Sequence, residues 1–269
     1  MTPDADKFAP LGRPRRIWAI GAVHGEAHHL ANLHDRIIEG FAPGDRLVYL
    51  GNIMGRGPLV RETVDEVLAF RRAVLALPGM IVTDIVYLRG AQEEMWQKLL
   101  QLQFAPNPGE VLAWMLRQGV EATLRAYGGS PEEGMHAARA GAVQLTRWTN
   151  GLREAIRAAP GHGNLNTAVR RAAFSDHEDG GVLCVSAGID VTRPLAAQGD
   201  TFWWGGRRFA DIDQPYETFR RIVRGFDANN GGVRMTDHTA SLDGGCGRGG
   251  TLACGVFSGT GDVLDLIEA

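Results

Sequence analysis

The sequence predicts an α/β fold, and three observations carry that prediction. Four short apolar runs, at 17–20, 47–50, 85–88 and 182–185, have the length and composition of buried strands. The first three end at or just before a glycine, and helical periodicity follows. From residue 220 onward short strand candidates return, separated by glycines.

The first run, Ile17-Trp18-Ala19-Ile20, hands over through Gly21 to a helix beginning near Glu26, where Leu30, Leu33, Ile37 and Ile38 recur at i, i+3, i+7 and i+8. The second, Leu47-Val48-Tyr49-Leu50, enters a glycine-rich loop that reaches Pro58, a favourable first helical residue. Val60, Val64, Val67 and Leu68 then repeat the pattern. The third, Ile85-Val86-Tyr87-Leu88, stops just short of Gly90. This β-α-β-α order places ligand sites at the carboxyl ends of the strands. Between about 104 and 176 the pattern turns helical, and Ser130-Pro131-Glu132-Glu133 has the S-x-x-E form of a capping box. That stretch reads as a helical insertion. After the fourth run come strand candidates at 220–224, 233–236, 239–242, 250–257 and 262–267. Residues 1–14 contain no apolar segment and read as a flexible leader, leaving 15–269 as a single domain.

Composition narrows the function classes. A chain of 269 residues, 44% hydrophobic and 22% charged, is long enough to bury a full core. A net charge of −3 gives no polyelectrolyte signature, so neither nucleic acid nor a membrane is expected as a partner. The apolar runs are too short to span a bilayer. Cys184, Cys246 and Cys254 are odd in number and lack C-x-x-C spacing, which fits a reducing cytoplasm better than a disulfide framework or a zinc site.

The four strands are followed by Gly21-Ala22-Val23-His24-Gly25, by Gly51-Asn52-Ile53-Met54-Gly55-Arg56-Gly57-Pro58, by Gly90-Ala91-Gln92-Glu93 and by Val185-Ser186-Ala187-Gly188-Ile189-Asp190. Together they resemble the calcineurin-like metallophosphoesterases, in the branch of bacterial serine/threonine protein phosphatases and symmetrical diadenosine tetraphosphatases. Those signatures read GD-x-HG, GD-x-VDRG, GNHE and a VHAG-like turn. WMLRQGVEATLRAYG at 114–128 and the glycine-rich ending at 242–252 extend the resemblance over nearly the whole chain. It implies an αββα sandwich of two packed sheets flanked by helices, and phosphoester hydrolysis at a centre of two divalent metals.

The groups that would perform this chemistry are largely replaced. Ala22 stands where the resemblance places the first-loop aspartate, Asn52 the bridging aspartate, Ala91 the asparagine and Ser186 the fourth-loop histidine. Arg224 and Phe226 occupy the histidine positions of a later turn, while Gly55 and Gln92 replace the catalytic aspartate and histidine. Only His24 is unaltered. A two-metal site must hold two dications about 3.5–4 Å apart through several oxygen and nitrogen ligands. Alanine, glycine and phenylalanine side chains supply none.

The resemblance therefore implies a pseudophosphatase without cofactor, binding a phosphorylated protein or a phosphate-bearing small molecule. Arg56, at the phosphate-gripping arginine of the second motif, is the main candidate contact, with Arg224 and Arg248 by position. Backbone N–H groups at the helix starts after residues 25 and 57 are expected to add to an anion site. Arg56 has a plainer reading as the partner of a neighbouring acid. The alternative function is an active metallophosphoesterase rebuilt on Glu93, Asp190, Asp227 or Asp243. A third reading has Met54 and Phe226 filling the pocket. His24, His28, His29 and His34 look like a metal cluster in the text, but on a helix the last three scatter. Gly245-x-Gly247-x-x-Gly250 matches the dinucleotide fingerprint by letter only, since strand residues and no helix follow it. Trp203-Trp204 is either an exposed partner-binding pair or core packing. Oligomeric state is left open.

Overall fold

A computed structural model describes residues 7–206 and 209–269 of the protein. The chain opens with β1 (Phe8–Gly12), β2 (Arg16–Ile20), α1 (Ala27–Gly40), β3 (Arg46–Tyr49), α2 (Val60–Leu75), β4 (Ile85–Tyr87) and α3 (Ala91–Leu99). A helical stretch follows: α4 (Pro108–Met115), α5 (Glu121–Ala126), α6 (Pro131–Ala140), α7 (Ala142–Ala158) and α8 (His162–Ala168). Then come β5 (Ala172–Ser175), β6 (Gly181–Val185), the short α9 (Thr201–Trp204) and β7 (Phe219–Arg224). The chain ends in β8 (Arg234–Met235), β9 (Thr239–Ser241), β10 (Ala253–Ser258) and β11 (Val263–Glu268).

These strands form a five-stranded sheet, ordered β11-β10-β2-β3-β4, and a six-stranded sheet, ordered β1-β5-β6-β7-β9-β8. Strand periodicity explains why the apolar runs read as continuous. In β2 and β3, Ile17, Ala19 and Val48 face the core between the sheets, where Val182, Cys184, Val223 and Ala240 meet them. Their neighbours Trp18, Ile20, Leu47 and Tyr49 face the opposite way, onto a core shared with α1, α2 and the helical stretch. A strand covered on both faces has no position left for a polar residue. The six-stranded sheet's outer face is covered by Phe202, Trp203, Phe209 and Tyr216. The α/β sandwich expected from the sequence is present, with one outer layer made of a four-residue helix and loops.

Three local expectations are corrected. Residues 8–12 of the expected flexible leader are a strand, with Phe8 registered against Ala172 in parallel pairing; residues 1–6 lie outside the described residues. Proline is admissible there because β1 is a sheet edge. The second helix starts at Val60 with Leu59 as its cap, so Pro58 belongs to the loop. The insertion's helices end at Ala168, and 172–175 already returns to the six-stranded sheet as β5. Within the insertion Ser130 does cap α6, its Oγ accepting from Glu133 N at 3.2 Å. No helix among the described residues is long and apolar enough to cross a membrane.

β2, β3 and β4 run parallel, as do β6, β7 and β9. Their carboxyl ends release loops that meet where the two sheets abut: Ala22 N donates to Gly225 O at 3.0 Å, and Gly225 N to Ser186 O at 3.0 Å.

Candidate functional site

The four loops singled out in the sequence, joined by those after β7 and β9, close on one another through backbone hydrogen bonds. Val23 N and His24 N both donate to Asn52 O (3.1 and 2.7 Å), Gly25 N to Ile53 O, and Gly57 N to His24 O. The insertion contributes too: Arg56 N donates to Gly119 O at 3.0 Å, and Gln92 Nε2 to Gln118 O at 2.8 Å. Gly119 sits in an irregular turn, Leu116–Val120, with φ +99°. A Cβ on it would lie 2.7 Å from Arg56 Cγ, so glycine is needed there for the turn to lie against the arginine.

Strain concentrates at the same place. His24 (φ 55°), Asn52 (φ 53°) and Arg56 (φ 55°) adopt left-handed conformations that residues with a Cβ avoid. A backbone held this way on adjacent loops must be fixed by its surroundings, and the hydrogen bonds above supply that restraint.

The replaced positions fill the space they occupy. A Cβ at Gly55 would stand 2.4 Å from Gln92 Cδ, so the glutamine lies where an aspartate side chain at 55 would begin. Asn52 Oδ1 accepts from Gln92 N at 3.0 Å. Ala22 and Ala91 are buried, as is Met54, and the Phe226 ring meets His24 edge-on at 5.6 Å. Several polar atoms nevertheless find no partner in the protein. Of the eleven such buried side-chain atoms among the described residues, six belong to this loop cluster: both ring nitrogens of His24, Asn52 Nδ2, Arg56 Nε, Gln92 Oε1 and Ser186 Oγ. Burial, joined by the charges of Arg56 and Arg248, holds the His24 pKa down to about 3, with the Met54 backbone acting in the opposite direction. Its imidazole is therefore neutral.

The acids considered as replacement ligands are already committed. Glu93, 3% exposed, accepts from the backbone N–H groups of Asn52, Ile53, Met54 and Gly90 at 2.8–3.3 Å. Its two oxygens thus organise the second loop and the start of α3. Asp227 pairs with Arg224 at 2.7 Å and accepts from Asn229 N and Gly231 N. Asp243 pairs with Arg248 at 2.7 Å and accepts from Asp227 N and Gly245 N. Asp190 bonds Thr192 through its backbone N–H and hydroxyl. No group of three or more His, Cys, Asp or Glu among the described residues could hold a metal ion.

The loop N–H groups that lead into the two helix starts are already in use. Those of Asn52, Ile53 and Met54 are spent on Glu93, and those of Gly25, Glu26, Arg56, Gly57 and Leu59 on backbone carbonyls. Glu93, one of the acids on which the alternative reading would rebuild a metal site, lies three residues past Gly90 and reaches back to the helix start as a capping-box acid does.

The three candidate arginines part company. Arg224 is ion-paired, bonded to Ser241 Oγ and stacked on Phe209 at 4.2 Å; Arg248 is ion-paired and lies over Phe226 at 5.4 Å. Arg56, half-buried, has no ion pair with a described residue. The histidines of α1 do not gather: His34 bonds Tyr49 and Glu66, and His29 the carbonyl of Ala269. The glycine triad at 245–250 forms a turn leading into β10. A cleft of about 720 Å³ lies beneath the β5–β6 turn, away from the loop cluster, and one of about 920 Å³ lies between 189–194 and 211–217, at the far end of the fourth loop.

No protein-family model matches the chain, and no curated protein matches it in sequence. Solved structures do. A candidate diadenosine tetraphosphatase is 17% identical with a TM-score of 0.57, each chain covered over 98% of its length. A cold-active protein tyrosine phosphatase is 13% identical with a TM-score of 0.54, over 98% of this chain and 83% of the other. A cold-active protein-tyrosine phosphatase of a psychrophilic Shewanella is 13% identical with a TM-score of 0.52, over 96% and 82%. Likeness at this level of identity concerns the fold: with its two sheets and flanking helices, the chain shares the α/β sandwich of these phosphatase structures.

Proposed function

We propose that the protein is a catalytically inactive relative of the phosphoesterases that recognises a phosphate-bearing ligand without metal. The reading is supported above all by the commitment of its acids. Glu93, Asp227 and Asp243 are each saturated by backbone N–H groups or an arginine, and Ala22 and Ala91 offer no donor atom. A lone neutral imidazole beside two arginines does not fit a dinuclear metal centre, which requires several anionic oxygens to offset four positive charges. Metals and carboxylates being lost together leaves no cluster of buried negative charge.

Arg56 is the group left to hold an anion. It forms no ion pair with a described residue, its Nε is unsatisfied, and the same loop cluster holds donors on Asn52 and Ser186 that have no partner either. A hydrogen bond to a charged group contributes about 1.5–3 kcal/mol, so two or three give an affinity on the order of micromolar to millimolar.

Two measurements test the reading. The purified protein, supplied with manganese, magnesium or zinc, is expected to hydrolyse p-nitrophenyl phosphate, phosphopeptides and diadenosine tetraphosphate no faster than background. Metal-dependent turnover that scales with protein and disappears in His24→Ala would overturn it. Calorimetric titration with inorganic phosphate in EDTA is expected to show saturable binding that Arg56→Ala abolishes; equal binding by both proteins would remove Arg56 from the site.

A further inference from the structure

Beside this cluster lies an exposed pair of indoles with no assigned role. Trp114 and Trp204 are 38% and 40% exposed, with ring centroids 5.5 Å apart and planes inclined at 59°. They come from distant parts of the chain. Trp114 is the penultimate residue of α4, and the turn that continues that helix gives Gly119 O to Arg56 N. Trp204 ends α9, whose Phe202 O accepts from Ala187 N of the fourth loop at 2.7 Å. The following Gly206 packs so closely on Ile189 O that a Cβ there would stand 2.3 Å away. The two rings therefore span the helical insertion and the β half at the edge of the loop cluster. Its adjacent residue Trp203 is 2% exposed and packs in the core, so only one of the consecutive tryptophans is presented.

We propose that the Trp114–Trp204 pair is a stacking platform for the planar ring of a phosphate monoester whose phosphate rests on Arg56. This rests on the metal-free anion reading above and adds the class of ligand. Charge complementarity selects the occupant. Arg56 and the exposed Arg117, three residues past Trp114, form no ion pair with a described residue, so both guanidinium groups are left to meet an anion. A planar ring stacked on indole gains affinity through its face without hydrogen bonds, and adjacent arginine adds to it.

The test is calorimetric titration in EDTA with inorganic phosphate, methyl phosphate, phenyl phosphate and AMP, on the full chain and on Trp114→Ala and Trp204→Ala. Phenyl phosphate or AMP is expected to bind about tenfold more tightly than methyl phosphate. That gain should vanish in either tryptophan variant while methyl phosphate binding stays. Whichever ring compound binds tighter identifies the source as an aryl phosphate or a nucleotide. If methyl phosphate binds as tightly as the ring compounds, or the gain survives both substitutions, the platform is overturned and the Arg56 reading stands. Absence of binding by every phosphate overturns both. The comparison on unsubstituted protein does not depend on the variants folding.

Discussion

In the helical layer His34 and His162 each complete a chain of partners, whereas in the loop cluster His24 completes none. Tyr49 Oη and His34 Nε2 are 2.8 Å apart, and His34 Nδ1 meets Glu66 at 2.6 Å. Tyr127 Oη and His162 Nδ1 are 2.7 Å apart, and His162 Nε2 meets Asp65 at 3.0 Å. The two chains end on adjacent carboxylates of α2, pinning α1 and β3 on one side and the insertion on the other. His24 is equally buried, at 1% against 2% and 1%, and has neither ring nitrogen bonded. Burial therefore does not explain the difference. These two histidines are satisfied, as buried polar groups generally are, although Tyr87 Oη, Trp96 Nε1 and Trp148 Nε1 in the same layer are not. Unsatisfied groups gather at the loop cluster, on backbone held at positive φ, where the fold carries a cost that packing elsewhere offsets.

The largest effect expected from this contrast is on stability. His34→Leu removes two hydrogen bonds, leaves the buried Tyr49 hydroxyl without a partner and disturbs the stacking on Phe70 at 3.8 Å. It should cost about 3 kcal/mol in urea denaturation, and His162→Leu about 2–3 kcal/mol. His24→Asn, which tolerates the left-handed backbone, should cost under about 1 kcal/mol. Comparable losses at all three histidines would erase the distinction between the regions.

A smaller effect appears in the dependence on pH. Between the ordinary value of 6.5 and about 3, unfolded His24 takes up a proton that the folded form refuses. Its contribution is therefore complete above pH 6.5 and declines as the pH falls, at up to about 1.4 kcal/mol per unit. His34, lowered chiefly by burial despite Glu66, adds a slope of the same sign. Glu93, raised by burial against its backbone hydrogen bonds, acts in reverse, its share being lost as the pH rises above the usual carboxylate range. Subtraction isolates His24: wild type should lose about 2 kcal/mol more than His24→Asn between pH 7 and 5. Parallel curves would mean that the ring titrates normally in the folded protein.

The contrast also marks how far sequence could be read. The strands and the order of the loops were legible because β2, β3 and β6 are covered on both faces and their turns demand glycine. β1 was not, because FAPLG shows no alternation and its partner Ala172 is remote in the chain. Which positions of the site had changed was legible by resemblance, but what became of them was not. Glu93 as a metal ligand and Glu93 as the organiser of four N–H groups are the same letter; only the fold reveals where those N–H groups point. Trp203 and Trp204 make the same case, since consecutive residues took opposite sides of one short helix.

The finest test compares two serines at either end of the six-stranded sheet's central region, because chemistry and burial are matched. Ser175 is 2% exposed and Ser186 is fully buried. Ser175 Oγ donates to Gly259 O and accepts from Val182 N, both at 2.8 Å, tying the β5–β6 hairpin to the turn after β10. Ser186 Oγ has no partner in the protein, and the residue's structural bonds run through its carbonyl, which accepts from Gly225 N and Phe226 N and would survive substitution. Ser175→Ala leaves a buried N–H and a buried carbonyl short of a partner and should cost about 2 kcal/mol. Ser186→Ala removes only a hydroxyl whose desolvation is uncompensated, and its effect should fall within about 0.5 kcal/mol of zero. In the presence of saturating inorganic phosphate the balance at Ser186 should change sign. If the hydroxyl contributes to the anion site, the variant will gain less thermal stabilisation from phosphate than wild type, although the two melt together without it. Equal stabilisation would exclude Ser186 from the site, and a large loss without phosphate would place it with the architectural group of polar residues.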